Sequence, residues 1–188
     1  SSATGMQCLQ GAGSAEASKR LPLLGAPPPQ VEEDEVTYVS IGDGATGEGE
    51  FWEFLNTICT ERLPVVCVVE DNGYAISCPA TYHTAGGDIS RLVESFPNLE
   101  VIRVDGTDLV QSYRAIREAA AYARARKGPA LVHAKVIRPY SHSHSDDERN
   151  YKTVEERELE AERGMAVLIN RPLGGGGLHG SELRLYLL

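Results

Sequence analysis

An α/β domain with a mostly parallel sheet and helices on both faces is what this sequence predicts, on three observations. Two apolar, β-branched runs, Val36 to Ile41 and Val65 to Val69, read as strands buried on both sides. The segment between them, Glu48 to Arg62, sets Phe51, Phe54, Leu55 and Ile58 on one helical face, so the two strands have a crossover helix between them. Each run ends in a polar loop, and loops at the carboxyl ends of parallel strands are where such sheets bind ligands.

The other elements follow in chain order. Gln7 to Arg20 reads as a helix in which Gly11 and Gly13 point to close packing on the buried side. Leu21 to Glu35, with Pro27-Pro28-Pro29 and four acids from Glu32 to Glu35, is a loop with a solvated acidic end. Beyond the second strand, Ala75 to Gly87 is irregular, and His83 within it reads as a solvated loop residue with no role. Asp88 is a suitable N-cap for a short helix, Ile89 to Phe96. Leu99 to Val104 is a third strand, ending in Asp105-Gly106-Thr107-Asp108. Leu109 to Lys127 is a long helix stopped by Gly128-Pro129. Ala130 to Ile137 is the last strand. Thr153 and Glu156 form a capping box that opens a helix reaching about Arg163. After Gly164 the sequence, with Gly174 to Gly177, reads as a flexible tail, so the domain is expected over 1–163 and the tail over 164–188.

With 188 residues and 41% apolar content the chain can bury one sizeable core. Its 18 basic and 27 acidic residues give a net charge of −9, which argues against nucleic acid or an anionic membrane as the main partner. No apolar run approaches the roughly 20 residues that span a bilayer. Cys8, Cys59, Cys67 and Cys78 show no Cys-x-x-Cys spacing, and a reduced cytosolic chain is the simplest expectation.

Two constellations carry chemistry. In the first, Gly42-Asp43-Gly44 ends one strand and Asn72 ends the next. A hard carboxylate held between glycines and a neutral oxygen nearby can together hold Mg²⁺, whose remaining positions go to phosphates and water. The glycines and the following helix N-terminus suit the phosphates. Gly42-x-Gly44-x-x-Gly47 also spells a dinucleotide fingerprint. In that motif, however, the backbone meets a pyrophosphate directly, and Asp43 would repel it without a cation between them. The metal reading is therefore preferred.

The second constellation is Arg138-Pro139-Tyr140-Ser141-His142-Ser143-His144-Ser145-Asp146-Asp147, just past the last strand. It reads as a hydrophilic loop, as a zinc site on His142, His144 and Asp146 with His133, or as a polar loop over the reactive end of a cofactor. No cysteine pair or His-Glu-x-x-His helix supports the zinc reading.

Gly42-Asp43-Gly44 followed about thirty residues later by Asp71-Asn72 resembles the thiamine-diphosphate motif, with Asp71 standing where a first Asn is common. The chain as a whole resembles the alpha subunit of the decarboxylating component of 2-oxo acid dehydrogenase complexes, from Ser1 to about Arg163. The resemblance implies the thiamine-diphosphate-binding fold, with Mg²⁺ held by Asp43, Asn72 and the main-chain carbonyl of Tyr74, and the diphosphate lined by Gly42, Gly44 and Ala45. A main-chain group at Thr4 would meet the aminopyrimidine, with Ser2 nearby. A structural potassium site of the family would fall on Ser1 and Gln7, where Met6 replaces the expected hydroxyl.

The His-rich string resembles the family's Arg-x-x-x-His-Ser-x-Ser-Asp loop, so the resemblance selects the cofactor-loop reading and places the active-site histidine on His142. Ser143 then falls where some relatives are phosphorylated, and a dianion there would block the acyl acceptor. The implied reaction is oxidative decarboxylation of a 2-oxo acid with acyl transfer to a lipoyl group. The implied partners are a beta subunit supplying the activating glutamate and a lipoyl-bearing acyltransferase. Asn72-Gly73-Tyr74-Ala75-Ile76-Ser77 looks closer to branched-chain than to pyruvate enzymes, and pyruvate or acetoin enzymes remain the alternatives within the class. Outside it stand a dinucleotide-dependent oxidoreductase and a non-catalytic assembly domain.

Overall fold

The computed structural model describes residues 4–24 and 34–169. In chain order the elements are α1 (Met6–Arg20), β1 (Thr37–Gly42), α2 (Gly49–Thr60), β2 (Val65–Asp71), a short hairpin of β3 (Tyr74–Ala75) and β4 (Cys78–Pro79), α3 (Ala80–His83), α4 (Ile89–Val93), β5 (Glu100–Asp105), α5 (Leu109–Arg124), β6 (Ala130–Lys135) and α6 (Val154–Ile169). The main sheet has four strands in the order β1-β2-β6-β5, and every pairing in it is parallel. The chain steps from β1 to the adjacent β2, passes over one position to β5, and returns through α5 to β6 between them. That reversal sends successive crossovers to opposite faces.

The burial pattern records the two faces. Val65, Cys67 and Val69 of β2 point to a layer containing Cys8, Ala12 and Ala15 of α1, Phe51, Phe54, Leu55 and Ile58 of α2, and Ile89 and Val93 of α4. Val66 and Val68, alternating with them, point to Ala115, Ala119 and Ala123 of α5. The aromatic stripe predicted on α2 is fully buried. Trp52 packs at the edge of that core, its ring edge-on to Phe51 at 5.4 Å and tilted against Phe96 at 6.4 Å.

Gly11 is small because α1 crosses β1 closely: a Cβ there would lie 2.3 Å from Val39 Cγ2. Gly13 has open space around it and does not share that role. Gly11→Ala is expected to lower stability by about 1–3 kcal/mol through overpacking, despite the better helix propensity of Ala, and thermal unfolding checks it.

Asp88 caps α4 by accepting from the Ser90 and Arg91 amides, and the helix stops at Val93, short of Phe96. Asp105 fixes the turn after β5 through the Thr107 amide and hydroxyl, while Asp108 caps α5. Thr153 and Glu156 exchange the two bonds of the expected capping box. The helix α6 runs past Gly164 to Ile169, and the remainder of the predicted tail lies outside the described residues. The four cysteines are free, and burial pushes the Cys8 and Cys59 thiols up to about 11 and 12. No helix among the described residues is long and apolar enough to cross a membrane.

Candidate functional site

The loops after β1 and β2 meet at the carboxyl edge of the sheet because their strands are adjacent and in register, Gly42 lying beside Glu70. The Asp43 amide donates to the Glu70 carbonyl at 3.3 Å, which draws the carboxylate in under the edge. Gly44 packs the two loops together: a Cβ on it would lie 2.5 Å from that of Ala75 in the following hairpin. A Cβ on Gly42 would meet nothing within 4 Å, so this glycine faces open space at the sheet edge. Ala45 packs against the core. Thr4 is exposed, next to Gly5, whose φ of 84° sets the start of α1 beside Glu48 and thus beside the same loop. Gln7 donates its side-chain amide to the Ser40 carbonyl at 3.2 Å, whereas Ser1 and Ser2 lie outside the described residues.

Asp43 is 3% exposed, and its Oδ2 is buried without a hydrogen-bond partner. Burial, reinforced by the nearby Asp71 charge, raises its pKa above the ordinary carboxylate value, and the facing His83, with the bond from the Asn72 main-chain N–H, offsets this only in part. A buried carboxylate oxygen without a partner is the donor a cation site presents. Asn72 Oδ1 accepts from the Tyr74 amide at 3.2 Å, so Asn72, Gly73 and Tyr74 form a side-chain-closed turn next to Asp43, with Gly73 at φ 83°. Ile76 follows at φ 58°, a strained value for a β-branched residue, at the tip of the β3–β4 hairpin.

Two features were not legible in the sequence. The first is His83, which reads there as a solvated loop residue. Its side chain is 14% exposed, and Nε2 sits 3.6 Å from Asp43 Oδ2, buried and equally unpartnered. The second explains why an acid occupies position 71. Asp71, 2% exposed, accepts from His133 Nε2 at 2.6 Å and from Lys135 Nζ on the adjacent strand, and its Oδ1 accepts from the Gly73 amide at 2.8 Å. Burial alone would raise its pKa, but those bonds outweigh it and hold the carboxyl at about 2. The other ring nitrogen of His133 lies 3.5 Å from Asp88 Oδ1. A groove of about 480 Å³ opens beside this network, over β5 and β6 and away from Asp43, with Arg103, Lys135 and Arg163 in its lining.

The His142 loop is tied back to the first site through aromatic and charged side chains. The Arg138 guanidinium lies over the Tyr74 and Tyr151 rings, 5.8 and 5.7 Å from their centroids, and donates to the Tyr151 hydroxyl at 2.7 Å. That hydroxyl donates to Asp146 Oδ2 at 2.6 Å, and the same oxygen accepts from the His142 amide at 2.8 Å. These bonds, the Tyr151 one first, hold the Asp146 carboxyl below its ordinary pKa. Lys152, buried, donates to the Arg138 carbonyl at 2.9 Å and pairs with Glu160. The His142 and Ser143 side chains remain exposed. Tyr151→Phe removes the hydroxyl shared by Arg138 and Asp146. Limited proteolysis is expected to cut within residues 138–150 several times faster in that variant, with the rest of the domain unchanged. Among the described residues no three His, Cys, Asp or Glu side chains converge on a metal position, and His133 is committed to Asp71, which removes the zinc reading of the loop.

A parallel sheet whose first two carboxyl-end loops hold a buried aspartate and an asparagine turn is the architecture of the thiamine-diphosphate-binding class. Solved structures agree on the fold: transketolase from Leishmania mexicana superposes with a TM-score of 0.53 at 25% identity, covering 68% of this chain and 19% of that one. Transketolase from Campylobacter jejuni gives 0.52 at 23%, covering 66% and 18%. The chain belongs to the dehydrogenase E1 component family, whose model matches residues 1–171. It is 38% identical over 152 residues to a 3-methyl-2-oxobutanoate dehydrogenase subunit alpha from Mycobacterium tuberculosis, covering 81% of this chain and 38% of that protein. It is 41% identical over 121 residues to a pyruvate dehydrogenase E1 component subunit alpha from Mycoplasma pneumoniae, covering 64% and 34%. The chain thus spans little more than a third of the length of these relatives.

Proposed function

We propose that this chain is the cofactor-binding part of a 2-oxo acid dehydrogenase alpha subunit, with residues 1–163 forming the thiamine-diphosphate-binding domain and residues 164–188 a tail. The observation that carries the reading is Asp43: a buried carboxylate with an unpartnered oxygen, beside the Asn72 turn, at the carboxyl edge of a parallel sheet. The family match and the names of the relatives support it, and the dinucleotide fingerprint loses its ground with them. Asp43, Asn72 and the Tyr74 carbonyl would hold Mg²⁺. Gly42, Gly44 and Ala45 would receive the diphosphate, and Thr4 would meet the aminopyrimidine. The bound cofactor supplies the electron sink for decarboxylation of a 2-oxo acid.

The chain's own residues bind, orient and exclude water. Gly42 leaves room for a phosphate at the sheet edge, and Asp43 supplies the charge that fixes a cation there. His142, its backbone pinned by Asp146 but its ring exposed, would handle a proton during acyl transfer to a lipoyl group on an acyltransferase partner. Ser143, exposed beside it, is where a phosphate would obstruct that acceptor. A beta subunit supplies the activating glutamate. A small 2-oxo acid is the substrate, neither nucleic acid nor membrane is a partner, and the location is cytoplasmic, or the mitochondrial matrix in a eukaryote.

Dye-linked decarboxylation separates the alternatives. The chain co-expressed with a branched-chain beta subunit is expected to turn over 3-methyl-2-oxobutanoate in preference to pyruvate, and the isolated chain neither. Turnover by the isolated chain would contradict the shared-site reading, and preference for pyruvate would move the chain to the pyruvate type.

A further inference from the structure

His133 stands in the middle of the sheet, between Val69 of β2 and Arg103 of β5, where a parallel sheet ordinarily carries an aliphatic side chain. Its ring is buried and held from both ends. Asp71 Oδ2 lies 2.6 Å from Nε2, and a carboxyl held at about 2 is ionised and can only accept, so Nε2–H is the donor. Nδ1 lies 3.5 Å from Asp88 Oδ1. That oxygen is fixed in turn by the Ser90 amide at 3.0 Å and the Ser90 hydroxyl at 2.6 Å, and Arg103 Nε donates to the same hydroxyl at 2.8 Å.

Folding alone does not call for such a network, because a buried ion pair is often no more stabilising than apolar side chains of the same volume. What the network fixes is the turn after β2. Asp71 Oδ1 accepts from the Gly73 amide at 2.8 Å and Asn72 Oδ1 from the Tyr74 amide at 3.2 Å, so two side-chain-closed turns overlap there. Main-chain bonds pin both flanks, from the Val136 amide to the Asp71 carbonyl and from the Ala80 amide to the Gly73 carbonyl. The Asp71 carboxylate is the member of this set whose orientation depends on other side chains. If it rotates, the Gly73 amide loses its acceptor, and the peptide units around Asn72 lose their restraint. Lys135 also reaches Asp71, but its ammonium sits on a flexible, largely exposed stem and fixes a carboxylate less firmly than a buried ring does.

We propose that His133 is a positioning residue of the cofactor site: by holding Asp71, with Asp88 behind it, it fixes the turn that presents Asn72 Oδ1 and the Tyr74 carbonyl. The inference rests on the cation and cofactor site proposed above. His133 reaches that site only through Asp71.

The test compares the parent with His133→Leu, with His133→Gln, whose side-chain amide can still donate to Asp71, and with Val132→Ala, a truncation on the opposite face of the same strand. Hydrogen exchange over residues 70–76 is measured on the full chain. Calorimetric titration of thiamine diphosphate with Mg²⁺ is made on the chain co-expressed with a beta subunit. In His133→Leu exchange in that segment is expected to rise roughly tenfold and cofactor affinity to fall roughly 10- to 100-fold. His133→Gln should recover most of both, and Val132→Ala should change neither. A His133→Leu variant that matches Val132→Ala, or a His133→Gln variant no better than His133→Leu, overturns the inference and leaves the cofactor reading intact. A measurement on the unaltered protein covers poor folding of the variants: with ¹⁵N-histidine, the Nε2–H proton bonded to Asp71 should give a slowly exchanging resonance that shifts when Mg²⁺ and thiamine diphosphate are added. A resonance that does not respond to the bound cofactor also overturns the inference. Absence of any cofactor binding by the parent overturns the cofactor reading and this inference with it.

Discussion

Asp43→Asn is expected to melt at a higher temperature than the parent chain in the absence of cation and cofactor, and to lose cation-dependent binding of thiamine diphosphate. The carboxylate is buried, its Oδ2 has no hydrogen-bond partner, and Asp71 lies close enough to repel it, which the facing His83 offsets only in part, so the folded state carries a charge that the unfolded chain would rather keep in water. The sign follows from the raised pKa: at pH values above it the native protein must hold the charge and is penalised. As pH falls toward the ordinary carboxylate value the penalty disappears. The advantage of Asp43→Asn should therefore be full at neutral pH and vanish in acid. For a chain of this size each kcal/mol recovered raises the melting temperature by roughly 2–4 °C. A variant no more stable than the parent at pH 7 would show that the carboxylate is satisfied in some other way.

The opposite pH dependence is expected of Asp71. Its carboxyl is held at about 2 by His133 and Lys135 against an unfolded value near 3.8, so its contribution of about 2 kcal/mol is present above pH 4 and lost as pH falls through 2. His133→Leu removes the fully buried one of these bonds while leaving Lys135 in place, and should cost about 2–3 kcal/mol at pH 7. Urea unfolding at pH 7 and pH 3 checks both statements: the variant's deficit should be smaller at the lower pH. An equal deficit at both would assign the loss to the cavity left by the ring rather than to the carboxylate. Because Asp71 Oδ1 also holds the Gly73 amide, the same substitution should loosen the Asn72 turn.

The sheet was legible because the strands are written in continuous β-branched runs, and two-sided burial in a parallel sheet demands such runs. The strand order was not, since nothing in the sequence says that β6 inserts between β2 and β5. The Asp88 N-cap and the capping box were legible because each is a short-range pattern whose partners lie two or three residues apart. His133 and Lys135 were opaque for the opposite reason: they answer Asp71 from another strand, and only parallel register brings them beside it. His83 was misread because a histidine in an irregular segment looks the same whether its ring meets water or is folded back over a neighbouring loop. Gly13 was grouped with Gly11 on spacing, but only the latter lies against a strand residue.

The central claim is that Asp43 fixes a cation that in turn fixes thiamine diphosphate, and calorimetric titration tests it most directly. The chain, co-expressed with a beta subunit, is titrated with thiamine diphosphate with and without Mg²⁺, beside Asp43→Ala. Binding that requires both the metal and Asp43, weakening by more than about 100-fold when either is removed, is the predicted result. Binding that is indifferent to the metal, or unchanged in Asp43→Ala, would contradict the account.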